Sequence, residues 1–132
     1  MRILIVGNGG REHALLWKLR RDAPAASFFA TQPNGGMVSD CEHLEIEATD
    51  VDNLSSWARS NQIDLTIVGP EAPLAAGIVD HFEKVGLPIF GPQAKAARIE
   101  SSKAYSKELM RNAGIPTAEH RTFTDLSMAE AW

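Results

Sequence analysis

The apolar positions of the chain fall into two kinds of pattern. Ile3–Val6 and Leu65–Val68 are short, continuous, β-branched and aliphatic runs, each stopped by glycine, at Gly7 and at Gly69-Pro70. Runs of this kind predict strands buried on both faces of a parallel sheet. Between and after them the apolar residues recur at helical spacing. Arg11–Asp22 predicts a helix with Leu15, Leu16 and Leu19 on its apolar face, ended at Ala23-Pro24 because proline disfavours helical geometry in the residue before it. Asp50–Gln62 predicts a second helix, with Asp50 as N-cap and Val51, Leu54, Trp57 and Ala58 on one stripe. Pro73–Val85 predicts a third, with Pro73 in its first turn and Gly86 past its end.

Weaker signals fill the gaps. Ser27–Thr31, His43–Glu47, Pro88–Phe90 and Thr117–Phe123 predict short strands, and Pro33-Asn34-Gly35-Gly36 a turn. Gln93–Ala113 predicts one broken helix or two consecutive ones, and Asp125–Trp132 the opening of another. Buried strands alternating with helices imply an α/β fold, a Rossmann-like doubly wound parallel sheet with Ile3–Val6 and Leu65–Val68 adjacent at its centre. Lys, Arg and Ser become denser after Gly91-Pro92, which places the end of the core sheet nearby. The helix opening at Ser127–Trp132 suggests a fragment of a longer protein.

Composition narrows the setting. Apolar residues at 44% and charged residues at 23% exclude a disordered chain. A net charge of −4 offers no electrostatic footprint for nucleic acid. No apolar run is long enough to span a membrane, and the N-terminus has no secretory h-region. One cysteine, Cys41, cannot form an internal disulfide; a reducing compartment, the cytoplasm, is the expected location, with Cys41 a small buried hydrophobe rather than a nucleophile.

Three constellations could carry chemistry. The unit Val6–Leu16 is strand, glycine loop, helix, and a helix start presents unpaired N–H groups and positive dipole. It fits either a phosphate site or a tight turn without ligand. It is not a dinucleotide fingerprint: Gly7 and Gly9 fit Gly-x-Gly-x-x-Gly, but Glu12 holds the third glycine position and no acidic residue follows the second strand. Gly69-Pro70-Glu71-Ala72-Pro73 follows the Leu65–Val68 strand; Glu71 there would either hold ribose hydroxyls or an amine, or merely favour a helix dipole. Ser102-Lys103, with Lys107 one turn later, would either meet an anion or form a solvated cationic face. His13, His43, His81 and His120 show no metal-ligand spacing, and no Gly-x-Ser-x-Gly elbow is present.

Ile3–Leu15, with its run Gly7-Asn8-Gly9-Gly10-Arg11-Glu12-His13, resembles the opening of the glycinamide ribonucleotide synthetases, the phosphoribosylamine–glycine ligases. Asp64–Leu74, with Gly-Pro-Glu-Ala-Pro-Leu at 69–74, resembles their second signature; Ile89–Pro92, Glu100–Ala104 and Gly114–Ala118 follow in order. The resemblance implies an ATP-grasp ligase of purine synthesis. Such an enzyme joins 5-phosphoribosylamine and glycine with ATP through a glycyl phosphate, giving glycinamide ribonucleotide, ADP and phosphate, with Mg2+ or Mn2+. It implies a substrate domain at 1–101 and the start of the ATP-grasp region at 102–132, the remainder lying beyond Trp132 together with the metal-binding carboxylates. It further implies that Gly9, Gly10 and Arg11 meet the substrate's 5′-phosphate, that Glu71 holds its ribose, that Asn34 belongs to the substrate loop, and that Lys103 reaches ATP phosphates. No catalytic residue is assigned, and this stretch alone is expected to be inactive. One loop departs from the family pattern: Gln32-Pro33-Asn34-Gly35-Gly36 has its proline shifted, and Met37 stands where Thr is common. The alternative is a stand-alone phosphosugar- or nucleotide-binding module without catalysis, which the gene sequence past Trp132 would distinguish.

Overall fold

The computed structural model describes all 132 residues, Met1–Trp132. They form two compact units, Met1–Ala97 and Arg98–Trp132. In the first, the chain runs β1 (Arg2–Val6), α1 (Gly10–Asp22), β2 (Ser27–Thr31), β3 (Glu42–Leu44), α2 (Val51–Ser60), β4 (Leu65–Val68), α3 (Glu71–Ala75), α4 (Ile78–Lys84) and β5 (Ile89–Phe90). The five strands form one sheet in the order β3-β2-β1-β4-β5, every pair parallel. Ile3 pairs with Leu65 and Val6 with Val68, so the two strongest apolar runs lie side by side in the interior of the sheet, as their composition predicts.

Burial follows the period of two. Leu4, Val6, Phe29 and Val68 face one side, where Leu54 and Ala58 of α2 and Ile78, Val79 and Phe82 of α4 cover them. Ile3, Ile5, Phe28, Ala30 and Ile67 face the other, where Leu16 of α1 and Met37 cover them. Met37, the residue that departs from the family pattern, is wholly buried in this second cluster. The α1 stripe differs from the expected one. Leu16 is buried and Leu19 packs beside it, but Leu15 is exposed, and the buried position one turn before Leu16 is Glu12. Residues 12, 16 and 19 share a face at i, i+4, i+7. The carboxylate therefore points at the sheet because its helix face does.

Other elements differ from expectation at identifiable points. The Pro73–Val85 helix is two helices, because Gly77 adopts φ +86°, a left-handed conformation that interrupts the α ladder. Asp50 caps α2 as expected, accepting from the Asn53 N–H at 3.3 Å. The third strand is three residues long, and starts one earlier than predicted. Gln93–Ala113 resolves into α5 (Ala94–Ser101) and α6 (Lys103–Asn112), broken at Ser102, whose hydroxyl caps α6. The expected strand at Thr117–Phe123 does not form: no neighbouring strand offers a ladder. Within the second unit that stretch is held instead by Lys107, which donates to Thr117 Oγ1 at 2.7 Å and to the Ala118 carbonyl at 3.0 Å. The last helix, α7, covers Leu126–Glu130.

Leu4→Ala at the sheet centre should cost about 2–5 kcal/mol. Gly77→Ala has open space around it and should cost only the left-handed strain, about 1–2 kcal/mol. Urea unfolding of the two variants checks the order; a Gly77 variant as damaged as the Leu4 variant would show that the helix break packs more tightly than described.

Candidate functional site

In an open α/β sheet, ligands bind beyond the carboxyl ends of the strands, where the chain reverses its direction of travel across the sheet. Here that point lies between β1, whose connection runs outward to β2, and β4, its neighbour on the other side. The β1–α1 loop and the β4–α3 loop meet there.

Almost every polar group of the β1–α1 loop described by a contact is held from within. The Gly7 N–H donates to Thr31 Oγ1, at the end of β2, at 2.7 Å, and this bond is buried. The Gly9 N–H donates to Glu12 Oε2 at 2.6 Å. The Asn8 carbonyl accepts from the Asn34 amide at 2.7 Å, while Asn34 Oδ1 accepts from the Gly36 N–H at 2.9 Å. Asn34, expected among the substrate contacts, thus ties the β1–α1 loop to the β2–β3 loop. Gly36 is needed beside it because a Cβ there would run into the His13 ring. Gly10 opens α1, and the N–H groups of a first helical turn have no acceptor in their own helix.

Glu12 is the residue at the centre of this loop, although the spacing rules used it only to exclude a dinucleotide site. It is 3% exposed. Its side chain fills the space above Gly7, Gly9 and Gly69, such that a Cβ on any of the three would collide with it. Oε1 is buried and accepts no hydrogen bond; the nearest cation, Arg11 Nε, is 4.0 Å away. The signal that could have found it is the stripe of residues 12, 16 and 19 noted above.

Arg11 and Glu71 come together as the two loops do. Arg11 Nη2 lies 3.5 Å from Glu71 Oε2, and both side chains are largely exposed. Neither side chain lines the crevice of about 250 Å3 that opens between Gly7, Asn8, Thr31, Gln32, Glu47 and Pro70. Gln32 takes φ +43° and donates to Glu47 Oε1 at 2.8 Å, closing one side of it. The shifted proline loop therefore contributes a wall of the crevice. Lys103 is exposed at the first position of α6, in the second unit.

Ser55, His81 and Asp52 form a further cluster that sequence spacing concealed. The Ser55 hydroxyl is 3.0 Å from His81 Nε2, and His81 Nδ1 is 3.6 Å from Asp52. The set is not wired for nucleophilic catalysis. The Ser55 proton is given to the Asp52 carbonyl at 3.0 Å, so the hydroxyl oxygen accepts from the imidazole. Asp52 is 89% exposed and orients nothing firmly. The cluster ties α2 to α4. No three His, Cys, Asp or Glu side chains converge as metal ligands would, and no helix is long and apolar enough to cross a membrane. Cys41 donates to the Met37 carbonyl at 3.3 Å; partial burial, and then the Asp40 charge, raise its thiol pKa against the lowering effect of Arg20.

A parallel sheet of this order, with charged loops at its switch point, is a Rossmann-like domain. Solved structures share it. Glycinamide-RNase-transformylase T from Mycobacterium tuberculosis superposes with a TM-score of 0.70 at 20% identity, over 99% of this chain and 38% of that one. The biotin carboxylase domain of Hydrogenobacter thermophilus 2-oxoglutarate carboxylase gives 0.69 at 16% identity, over 98% and 31%. At the level of sequence, the family described as phosphoribosylglycinamide synthetase, N domain, matches residues 1–100, and the chain belongs to it. Phosphoribosylamine–glycine ligases from Pasteurella multocida and Escherichia coli K12 are 48% and 45% identical over 100% of the chain. The chain spans 31% of the length of these relatives.

Asn34→Ala should destabilise the chain by about 1 kcal/mol, the scale of a lost hydrogen bond, and speed amide exchange around Gly9 and Gly36. Unchanged exchange there would mean the two loops are held by other contacts. Alkylation at pH 8 should modify Cys41 more slowly in the folded chain than in urea, because a raised pKa leaves less thiolate at that pH.

Proposed function

We infer that this chain is the substrate-phosphate domain of a phosphoribosylamine–glycine ligase, contributing the 5-phosphoribosylamine site of an ATP-dependent C–N bond-forming enzyme of purine synthesis. Family membership supports the reading, and the observation that carries it to particular residues is the meeting of Arg11 and Glu71 at 3.5 Å across the switch point. One group suits a phosphate and the other suits ribose hydroxyls. They lie on the loops after β1 and β4, beside the opening turn of α1.

In this reading the α1 first turn at Gly10, with the loop at Gly9 and the Arg11 guanidinium, receives the 5′-phosphate, as helix N-termini receive anions. Glu71 faces the sugar, and Asn34 keeps the loop in shape rather than touching the ligand. Residues 102–132 begin the ATP-grasp region, with Lys103 directed to ATP phosphates. ATP and Mg2+, when bound to the complete enzyme, supply activation of the glycine carboxylate. In this reading the metal-binding carboxylates lie in the part of the relatives that the chain does not span. The expected setting is the cytoplasm, with small-molecule partners only.

Two measurements test this. Amide NMR titration with ribose 5-phosphate should move Gly10 and the amides that follow it in the first turn of α1. Arg11→Ala should weaken that binding roughly ten- to a hundredfold, the loss typical of a charge-assisted hydrogen bond. Glu71→Ala should weaken ribose 5-phosphate and leave inorganic phosphate no weaker. Shifts that gather elsewhere, or survive Arg11→Ala, would place the substrate at another site. The chain by itself should release no ADP when given ATP, glycine and 5-phosphoribosylamine; substrate-dependent release would show that residues 1–132 hold a complete active site.

A further inference from the structure

The glycines of the β1–α1 loop suggest a backbone opened for a ligand, but what lies against Gly7, Gly9 and Gly69 is the Glu12 side chain. Glu12 takes the position that a dinucleotide site leaves to its third glycine, and does so from inside the fold. Two consequences follow for an anion at the start of α1. The Gly9 N–H is already committed to Glu12 Oε2 at 2.6 Å, so one donor that such loops normally offer is withheld. A buried carboxylate also stands beneath the loop, and its field opposes any negative charge bound there.

The second oxygen makes the arrangement costly. Oε1 is buried without a hydrogen-bond partner, 4.0 Å from Arg11 Nε. A buried acceptor left unpaired is destabilising, and a charged one more so. Leucine or methionine at position 12 would continue the apolar stripe with Leu16 and Leu19 without an orphaned oxygen, but would leave the Gly9 N–H without its acceptor. The cap from Oε2 to the Gly9 N–H accounts for a polar side chain of this length, which glutamine would also supply; the negative charge is the part that the adjacent anion site feels.

We propose that Glu12 is a specificity-determining residue of the phosphate loop: by holding the Gly9 N–H inward and placing negative charge under the first turn of α1, it makes the loop a poor site for a bare phosphate or pyrophosphate. Occupancy then depends on contacts made to the rest of the ligand, and the site selects a phosphorylated sugar. The proposal rests on the phosphate reading of the loop given above.

The test is amide NMR titration of the 132-residue chain and of Glu12→Gln and Glu12→Ala, with inorganic phosphate and with ribose 5-phosphate as probes. In the unsubstituted chain, Gly10 should respond to ribose 5-phosphate while Gly9 stays still. Glu12→Gln keeps the shape and an acceptor for the Gly9 N–H but removes the charge. Inorganic phosphate should then bind several-fold tighter, narrowing the preference for the sugar phosphate, with Gly9 still silent. Glu12→Ala should tighten phosphate as well and bring Gly9 among the responding amides; if that variant does not fold, Glu12→Gln decides. A merely structural role predicts weaker binding in both variants, never a gain. If Gly10 responds but Gly9 responds with it in the unsubstituted chain, or Glu12→Gln binds phosphate no tighter, the role given to Glu12 is wrong and the phosphate site stands. If well-dispersed spectra show no response at Gly10 in any of the three proteins, the phosphate reading fails and the role of Glu12 falls with it.

Discussion

The packing of the Glu12 carboxylate against three glycine backbones fixes how the ends of β1 and β4 approach one another. Gly7 takes φ +116° and also lies against the Pro70 ring, so the turn after β1 and the turn after β4 interlock around one side chain. A side chain at any of these glycines would push the turns apart. Arg11 and Glu71 are positioned as a result, since one adjoins Glu12 and the other follows Pro70. The crevice at the strand ends has part of its lining on the same two turns, and Thr31, Gln32 and Glu47 line it too.

The parallel sheet supplies the rest of the geometry. All five strands point the same way, so every loop that leaves a carboxyl end leaves toward the same side of the molecule. Thr31, at the end of β2, can therefore reach the Gly7 N–H in the turn after β1. Asn34, three residues further, can reach the Asn8 carbonyl. The loop is thus braced by its neighbours on both sides, by β2 through Thr31 and by the β4 turn through Glu12. A rigid frame of this kind keeps first-turn amides oriented before a ligand arrives, which is what lowers the cost of binding.

The framework was legible in the sequence where a single physical cause dominates. Ile3–Val6 and Leu65–Val68 have too much aliphatic surface for an edge, and the sheet buries both. Asp50 caps α2 because its carboxylate can reach the Asn53 amide whatever lies around it. Where two causes compete, the pattern misleads. Gly77 reads as a tolerable glycine in a helix, yet the left-handed turn there joins two shorter helices. Thr117–Phe123 has strand composition, but a strand needs a partner and none adjoins it. At the candidate site, glycine spacing pointed to the loop and motif resemblance to Arg11 and Glu71, which the fold brings within 3.5 Å of each other. The inward roles of Asn34 and Glu12 were hidden, because spacing places a residue on an element and does not tell which of its neighbours will use its polar atoms.

The Arg11–Glu71 pair is held weakly. Both groups are more than a third exposed, so their attraction is screened and is worth about 0–1 kcal/mol. A charge-assisted hydrogen bond from the same guanidinium to a phosphate is worth about 1.5–3 kcal/mol. Under the function proposed above, a phosphate would compete with Glu71 for this guanidinium, and Glu71 would then be left to accept hydrogen bonds from a sugar. The buried partner behaves differently. Glu12 cannot turn outward without emptying the space over Gly7, Gly9 and Gly69. Glu71 and Glu12 thus differ in kind: the exposed carboxylate can change partner at small cost, and the buried one is held in place by the backbones around it.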